Sequence, residues 1–326
     1  MIKHFAVVAL LAVSAVVSFS THAESGSQPG NVVQKPAARF ALPERNQILA
    51  AAQAGGRVVA VGDRGIILLS DDQGATYRQA KQVPTRATLT SVSFVNDKTG
   101  WAVGHWGVIL NTQDGGETWG LQRDDLAADQ PLFAVWFKDA RSGVAAGLFS
   151  LLLTTSDGGK TWSPVKLPSA AGNRPADVNL FSIFPDRQGN VLLAGEQGMV
   201  YRSTDGGNSW EAMPTGSKGT FWAGLVLDDG TIVVAGLRGN IYRSQDGGAN
   251  WARIEASSNS SVTSMAQLPN ADLVLVGMDG LTLISKDRGA TFTAQNRADQ
   301  ASLTAVVSNA SGVPLFFAQT GVVKSK

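Results

Sequence analysis

The chain of 326 residues contains no cysteine. That excludes disulfides, thiolate metal sites and a cysteine nucleophile. Histidine is nearly absent: His4 and His22 lie in the first 23 residues, and His105 is the one other. A histidine zinc cluster therefore cannot form, and a Ser-His-Asp triad would have to be built on His105 alone. Neither sign of charge is in excess, with 27 basic and 26 acidic residues. The sequence thus carries no electrostatic footprint of a nucleic-acid or other polyanion binder. No phosphate-binding loop or dinucleotide fingerprint is present, and the recurrent Gly-x-x-Gly opens a strand rather than a helix. No cofactor or metal is expected.

Long apolar runs are also missing, with one exception. Met1-Ile2-Lys3-His4 precedes an apolar run from Phe5 to Phe19, followed by Ser20-Thr21-His22-Ala23. The run is shorter than the ~20 residues of a membrane-spanning helix. A positive start, a short apolar core and a small-x-Ala end predict a secretory signal peptide over residues 1–23, cleaved after Ala23. The expected product is soluble, monomeric and periplasmic, with residues 24–31 as a flexible lead. Without disulfides it must rely on its core, which about 300 residues readily supply.

Six copies of one motif fill the rest of the chain. They begin at Ser70, Thr112, Thr155, Ser203, Ser244 and Ser285 and read Ser/Thr-x-Asp-x-Gly-x-Thr/Ser/Asn-aromatic. The aspartates are Asp72, Asp114, Asp157, Asp205, Asp246 and Asp287, in steps of 42, 43, 48, 41 and 41. A period of about 40 to 45 residues is the blade length of a β-propeller. Upstream of each motif lies a second signature, Val/Leu-Ala-Gly-x-x-Gly-like, which reads as strand, tight turn, strand. A β-rich run precedes it and a polar strand follows the motif, so each unit is four antiparallel strands. The C-terminus adds three strands of a further unit, Leu303–Ser308, Pro314–Ala318 and 319–325. The expectation is a seven-bladed, all-β propeller over residues 32–326, with residues 32–42 closing the ring as the outer strand of the last blade.

The motif has structural explanations. Its Asp accepts hydrogen bonds from its own turn, its Gly permits left-handed φ, its hydroxyl ties the turn to the preceding strand, and its Trp fills the space between sheets. One carboxylate per loop is far from the six to eight oxygens of a calcium site. Function is expected at the other end, where the two residues between the glycines vary from blade to blade. Candidate partner-binding residues there are Arg64, His105, Trp106, Phe149, Glu196, Arg238 and Asp279, with Arg86 and Arg174 on loops between blades. Aromatic residues and arginine are the types enriched at binding hot spots.

The stretch Gly100–Ile109 (GWAVGHWGVI), followed by Thr112–Trp119 (TQDGGETW), resembles the photosystem II stability/assembly factor family, within the larger BNR (Asp-box) propellers. The resemblance runs from about Val58 to Ser325. It implies a non-catalytic scaffold or assembly factor for membrane protein complexes, with an arginine-rich patch for its partner. Arg64, Arg86, Arg174 and Arg238 are candidates for that patch. A membrane or envelope protein complex is the expected partner. The same motif occurs in sialidases, so a glycan-binding or glycoside-hydrolase propeller is the alternative. A sialidase needs a tyrosine nucleophile and an arginine cluster. The chain's three tyrosines, Tyr77, Tyr201 and Tyr242, all fall at positions that the repeat explains. Asp63, Glu196 and Asp279 remain as carboxylates that share one face. No catalytic residue is assigned.

Overall fold

A computed structural model describes residues 33–168 and 176–324. Seven antiparallel sheets follow one another along the chain, each a simple meander. Their first strands are Ile48–Ala54, Leu89–Phe94, Leu132–Phe137, Leu180–Pro185, Phe221–Val226, Val262–Gln267 and Leu303–Ser308. These pack in succession, the seventh against the first, and so surround a central channel. Each sheet is one blade of a propeller, numbered 1 to 7 in chain order. The second strands (for example Arg57–Gly62, Gly100–Gly104 and Ile232–Gly236) are buried almost end to end. They read as unbroken apolar runs because neighbouring blades cover both faces. No helix among the described residues is long and apolar enough to cross a membrane.

The motif performs its expected role, with one refinement. In blade 2, Asp114 Oδ1 accepts from Thr112 Oγ1 at 2.8 Å and from Thr118 N at 2.9 Å, while Oδ2 accepts from Thr118 Oγ1 at 2.6 Å. Thr112 Oγ1 also accepts from Gly116 N at 3.0 Å. Thr112 ends the third strand, so its hydroxyl ties the turn to that strand, as expected, and also braces the turn from inside. The same pattern recurs at Asp72, Asp157, Asp205, Asp246 and Asp287. Hydrogen bonds that favour the charged form hold Asp72, Asp157, Asp205, Asp246 and Asp287 at a pKa of about 2. The motif aromatic packs on the preceding blade: Trp119 joins Val59 and Leu69, and Trp210 joins Val144 and Leu152.

Blade 7 departs from the expectation. Among the described residues it has three strands, Leu303–Ser308, Pro314–Ala318 and Gly321–Val323. From Val33 onward the N-terminal segment forms no strand there; Val32 lies outside the described residues. Instead it runs along the outer edge of blade 1. Ala37 N donates to Val83 O at 3.0 Å, Arg39 Nη1 to Ala80 O at 2.6 Å, and Gln79 Nε2 to Ala38 O at 2.6 Å. The reason is local. The outer strand of blade 1 is only Arg78–Gln79, so the carbonyls that follow it need donors, and Pro36 removes a donor from the competing ladder. The turn at Pro43–Arg45 reaches blade 7, where a Cβ on Gly321 would lie 2.0 Å from Glu44 O, and Phe40 packs on the cluster shared by blades 1 and 7.

The ring is therefore closed by side chains and packed faces. Thr304 Oγ1 donates to Ile48 O, and Asn309 Nδ2 donates to Gln73 O at 3.1 Å. Phe317 meets Tyr77 edge-on at 6.0 Å within a cluster shared by blades 1 and 7.

Candidate partner-binding face

The turns between second and third strands gather at one end of the channel. In blades 1, 2, 3, 5 and 6 each is a single 3-10 turn, and in blade 4 it is a plain turn at 196–198; in all six the second residue has positive φ. Those residues are Arg64 (52°), Trp106 (60°), Phe149 (53°), Gln197 (57°), Arg238 (58°) and Asp279 (57°). Left-handed backbone at a non-glycine residue costs roughly 1–2 kcal/mol. The fold imposes it in six of the seven blades, so the geometry is structural and the side-chain identity is what varies.

Every described candidate lies on this end. Arg64 is exposed, with Nε 3.6 Å from Asp63 Oδ2. Arg238 is exposed and its guanidinium has no partner among the described residues; its N–H donates to Ser261 Oγ at 3.1 Å. Phe149 is 62% exposed, and its N–H donates to Asn179 Oδ1 at 2.8 Å. Glu196 accepts from Asn179 N and Nδ2 at 3.0 and 3.1 Å. Asn179 thereby links the turns of blades 3 and 4, a role that no motif announced. Asp279 accepts from Ser260 Oγ at 2.9 Å. His105 is exposed, yet desolvation lowers its pKa from the usual imidazole value, against the opposing pull of Asp129 and Asp63.

Two candidates are partly committed to the fold. Trp106 is half-buried against the core of blades 1 and 2. Arg86 Nε donates to Pro36 O at 2.9 Å and pins the N-terminal segment. Arg174 lies outside the described residues. The three acids weighed for glycan chemistry each have local partners, Asp63 accepting from Thr88 Oγ1 at 2.9 Å and from Arg64 N at 2.8 Å. Tyr77 is a core ring whose pKa burial and Asp72 push to about 12, which makes it a poor nucleophile.

At the mouth of the channel the innermost strands share a feature that sequence reading missed. In all seven blades a register shift follows the first paired residue of the strand, leaving the second as a bulge. Bulges re-aim side chains and cluster at functional rims. The bulged residues line a cavity of about 190 Å³. Phe133, Phe181 and Trp222 hold this position in blades 3, 4 and 5. Aligning the second residue of each first strand would have exposed them.

Fold, motif chemistry and turn geometry together define a seven-bladed Asp-box propeller. The family model described as Photosynthesis system II assembly factor YCF48 matches residues 78–310, and the chain belongs to that family. Among solved structures, "YCF48 bound to D1 peptide" superposes with a TM-score of 0.68 at 20% identity, covering 88% of this chain and 97% of that one. YCF48 from Cyanidioschyzon merolae gives 0.68 at 16% identity, covering 89% and 97%. The WD40 propeller domain of Doa1 gives 0.65 at 15% identity, covering 90% and 97%. No curated protein matches this sequence.

Proposed function

We propose that this chain is an exported, non-catalytic scaffold that holds an extended segment of a membrane or envelope protein on its loop face. One observation carries the reading. Exposed Phe149 and unpartnered Arg238 sit at equivalent turns of one rigid face, where the repeat constrains the backbone and leaves the side chain free. These are hot-spot residue types on preorganised supports. Family membership adds to it, as does the relative whose structure contains a D1 peptide. The leader-like residues 1–23 point to the periplasm. The motif carboxylates lend nothing to catalysis, since their acceptor capacity is spent within their own turns.

The test uses full-length protein made in its own host. The periplasmic fraction should yield a species beginning at Glu24 that co-purifies with a membrane or envelope protein. Phe149→Ala/Arg238→Ala should recover at least about tenfold less partner with an unchanged circular dichroism spectrum, as the loss of hot-spot residues predicts. Equal recovery by both forms removes this face from the account.

A further inference from the structure

We propose that the channel mouth is an anchor pocket for one uncharged aromatic or long aliphatic side chain of the bound polypeptide, gripped by Phe133, Phe181 and Trp222. The inference rests on the reading of the loop face as a polypeptide-binding surface and names its deepest contact.

The bulged position obeys a structural rule in three blades. Thr90 Oγ1 donates to Leu132 O at 2.6 Å, Thr263 Oγ1 to Leu303 O at 2.7 Å, and Thr304 Oγ1 to Ile48 O. In each case the hydroxyl reaches the first residue of the next innermost strand and braces two blades together. Blades 3, 4 and 5 abandon the brace. They carry Phe133, Phe181 and Trp222, which cannot make that bond to Leu180, Phe221 and Val262. The three departures are contiguous and all are aromatic. Leu49 in blade 1 also lacks the brace, but it stands apart from this arc. Phe133 and Phe181 stack with centroids 5.2 Å apart and planes 17° from parallel, and all three rings remain partly exposed. Local choices that break a structural rule, grouped in one place, mark function.

The lining selects the occupant. No charged side chain borders the cavity, so a charged anchor would lose its hydration without a partner. A volume of about 190 Å³ falls below the ~300–1,000 Å³ of small-molecule sites. It suits one side chain delivered by a chain that makes its other contacts on the surrounding rim. Exposed Phe149 and Leu237 stand on turns of two of the same blades.

The structure also supplies variants that should fold. Phe181→Thr and Trp222→Thr install the residue that blades 2, 6 and 7 already carry, with the brace it makes. A phage-displayed random dodecapeptide library is selected on the wild-type chain, and the resulting synthetic peptides are measured by fluorescence anisotropy. The proposal expects one recurrent aromatic, Leu or Met position. It expects at least tenfold weaker binding to Phe181→Thr/Trp222→Thr, with a thermal midpoint equal to or above wild type. Changing the recurrent residue to Asp should abolish binding. Loss of binding in Phe149→Ala/Arg238→Ala but not in the threonine variant would overturn the pocket and leave the loop-face reading standing. If neither variant affects binding, or no peptide is selected, both fall.

Discussion

Blades 1 to 6 each carry glycines of two physical kinds, and a matched pair of substitutions separates them. Gly277 ends the second strand of blade 6 in extended backbone, so it owes nothing to left-handed freedom. A Cβ there would stand 2.1 Å from Ser261 O, where ordinary contact begins at 3.4 Å. That carbonyl accepts from Met278 N at 2.9 Å and precedes the bulge whose Thr263 hydroxyl braces blade 7. Gly277→Ala must therefore displace backbone, which costs about 1–3 kcal/mol as overpacking, and break a buried hydrogen bond, about 1–3 kcal/mol more. The expected loss is about 2–6 kcal/mol. Gly206 is the opposite case. Its φ is +75°, and a Cβ would meet nothing within 4 Å. Gly206→Ala costs about 1–2 kcal/mol of backbone strain, offset by about 0.4–1 kcal/mol of reduced unfolded-state entropy. Urea titrations with a common slope give both values. Losses within 1 kcal/mol of each other would refute the close-approach reasoning.

Two further outcomes follow from the fold. The motif aspartates held at about 2 lie below their usual value of 3.8, so their contribution to stability is complete above pH 4 and is lost as pH falls toward 2; the thermal midpoint should decline across that window, and a midpoint unchanged down to pH 2 would contradict it. Thr304→Val removes the hydroxyl brace at the seam between blades 7 and 1, at a cost of about 1 kcal/mol. Hydrogen exchange should then quicken first in those two blades, and uniform quickening around the ring would argue against a seam of distinct weakness.

Much of this molecule can be read from spacing alone. The motif interval predicts blades, and the three extra C-terminal strands raise six motifs to seven sheets, because both are local patterns repeated in register. The closure is a different kind of fact. It depends on the outer strand of blade 1 being only two residues long, so that the carbonyls of Ala80 and Val83 compete for the N-terminal segment. Within residues 32–42 only Pro36 bears on that competition, and it does not say which edge wins. Likewise Trp106 and Phe149 occupy the same turn position, yet one is half-buried and the other is open. The loop after blade 2 makes the difference, since Asp125 N donates to Trp106 O at 2.8 Å and Leu126 packs on the same cluster. The bulges were hidden for a similar reason, register being a property of two strands at once.

A repeat protein provides its own control for such readings. Where several blades keep one residue and bond, the structural value of that residue is measured within the molecule itself. The threonine brace is worth about 1 kcal/mol per blade, so three contiguous blades forgo about 3 kcal/mol by carrying aromatic residues. The Phe133–Phe181 stack returns about 0.5–1.5 kcal/mol, and the buried part of the three rings returns more. Stability alone does not explain why the three departures are contiguous and all aromatic. A use outside the folded chain does, and the rings leave one direction open for it, into the channel from the face that carries Phe149 and Arg238.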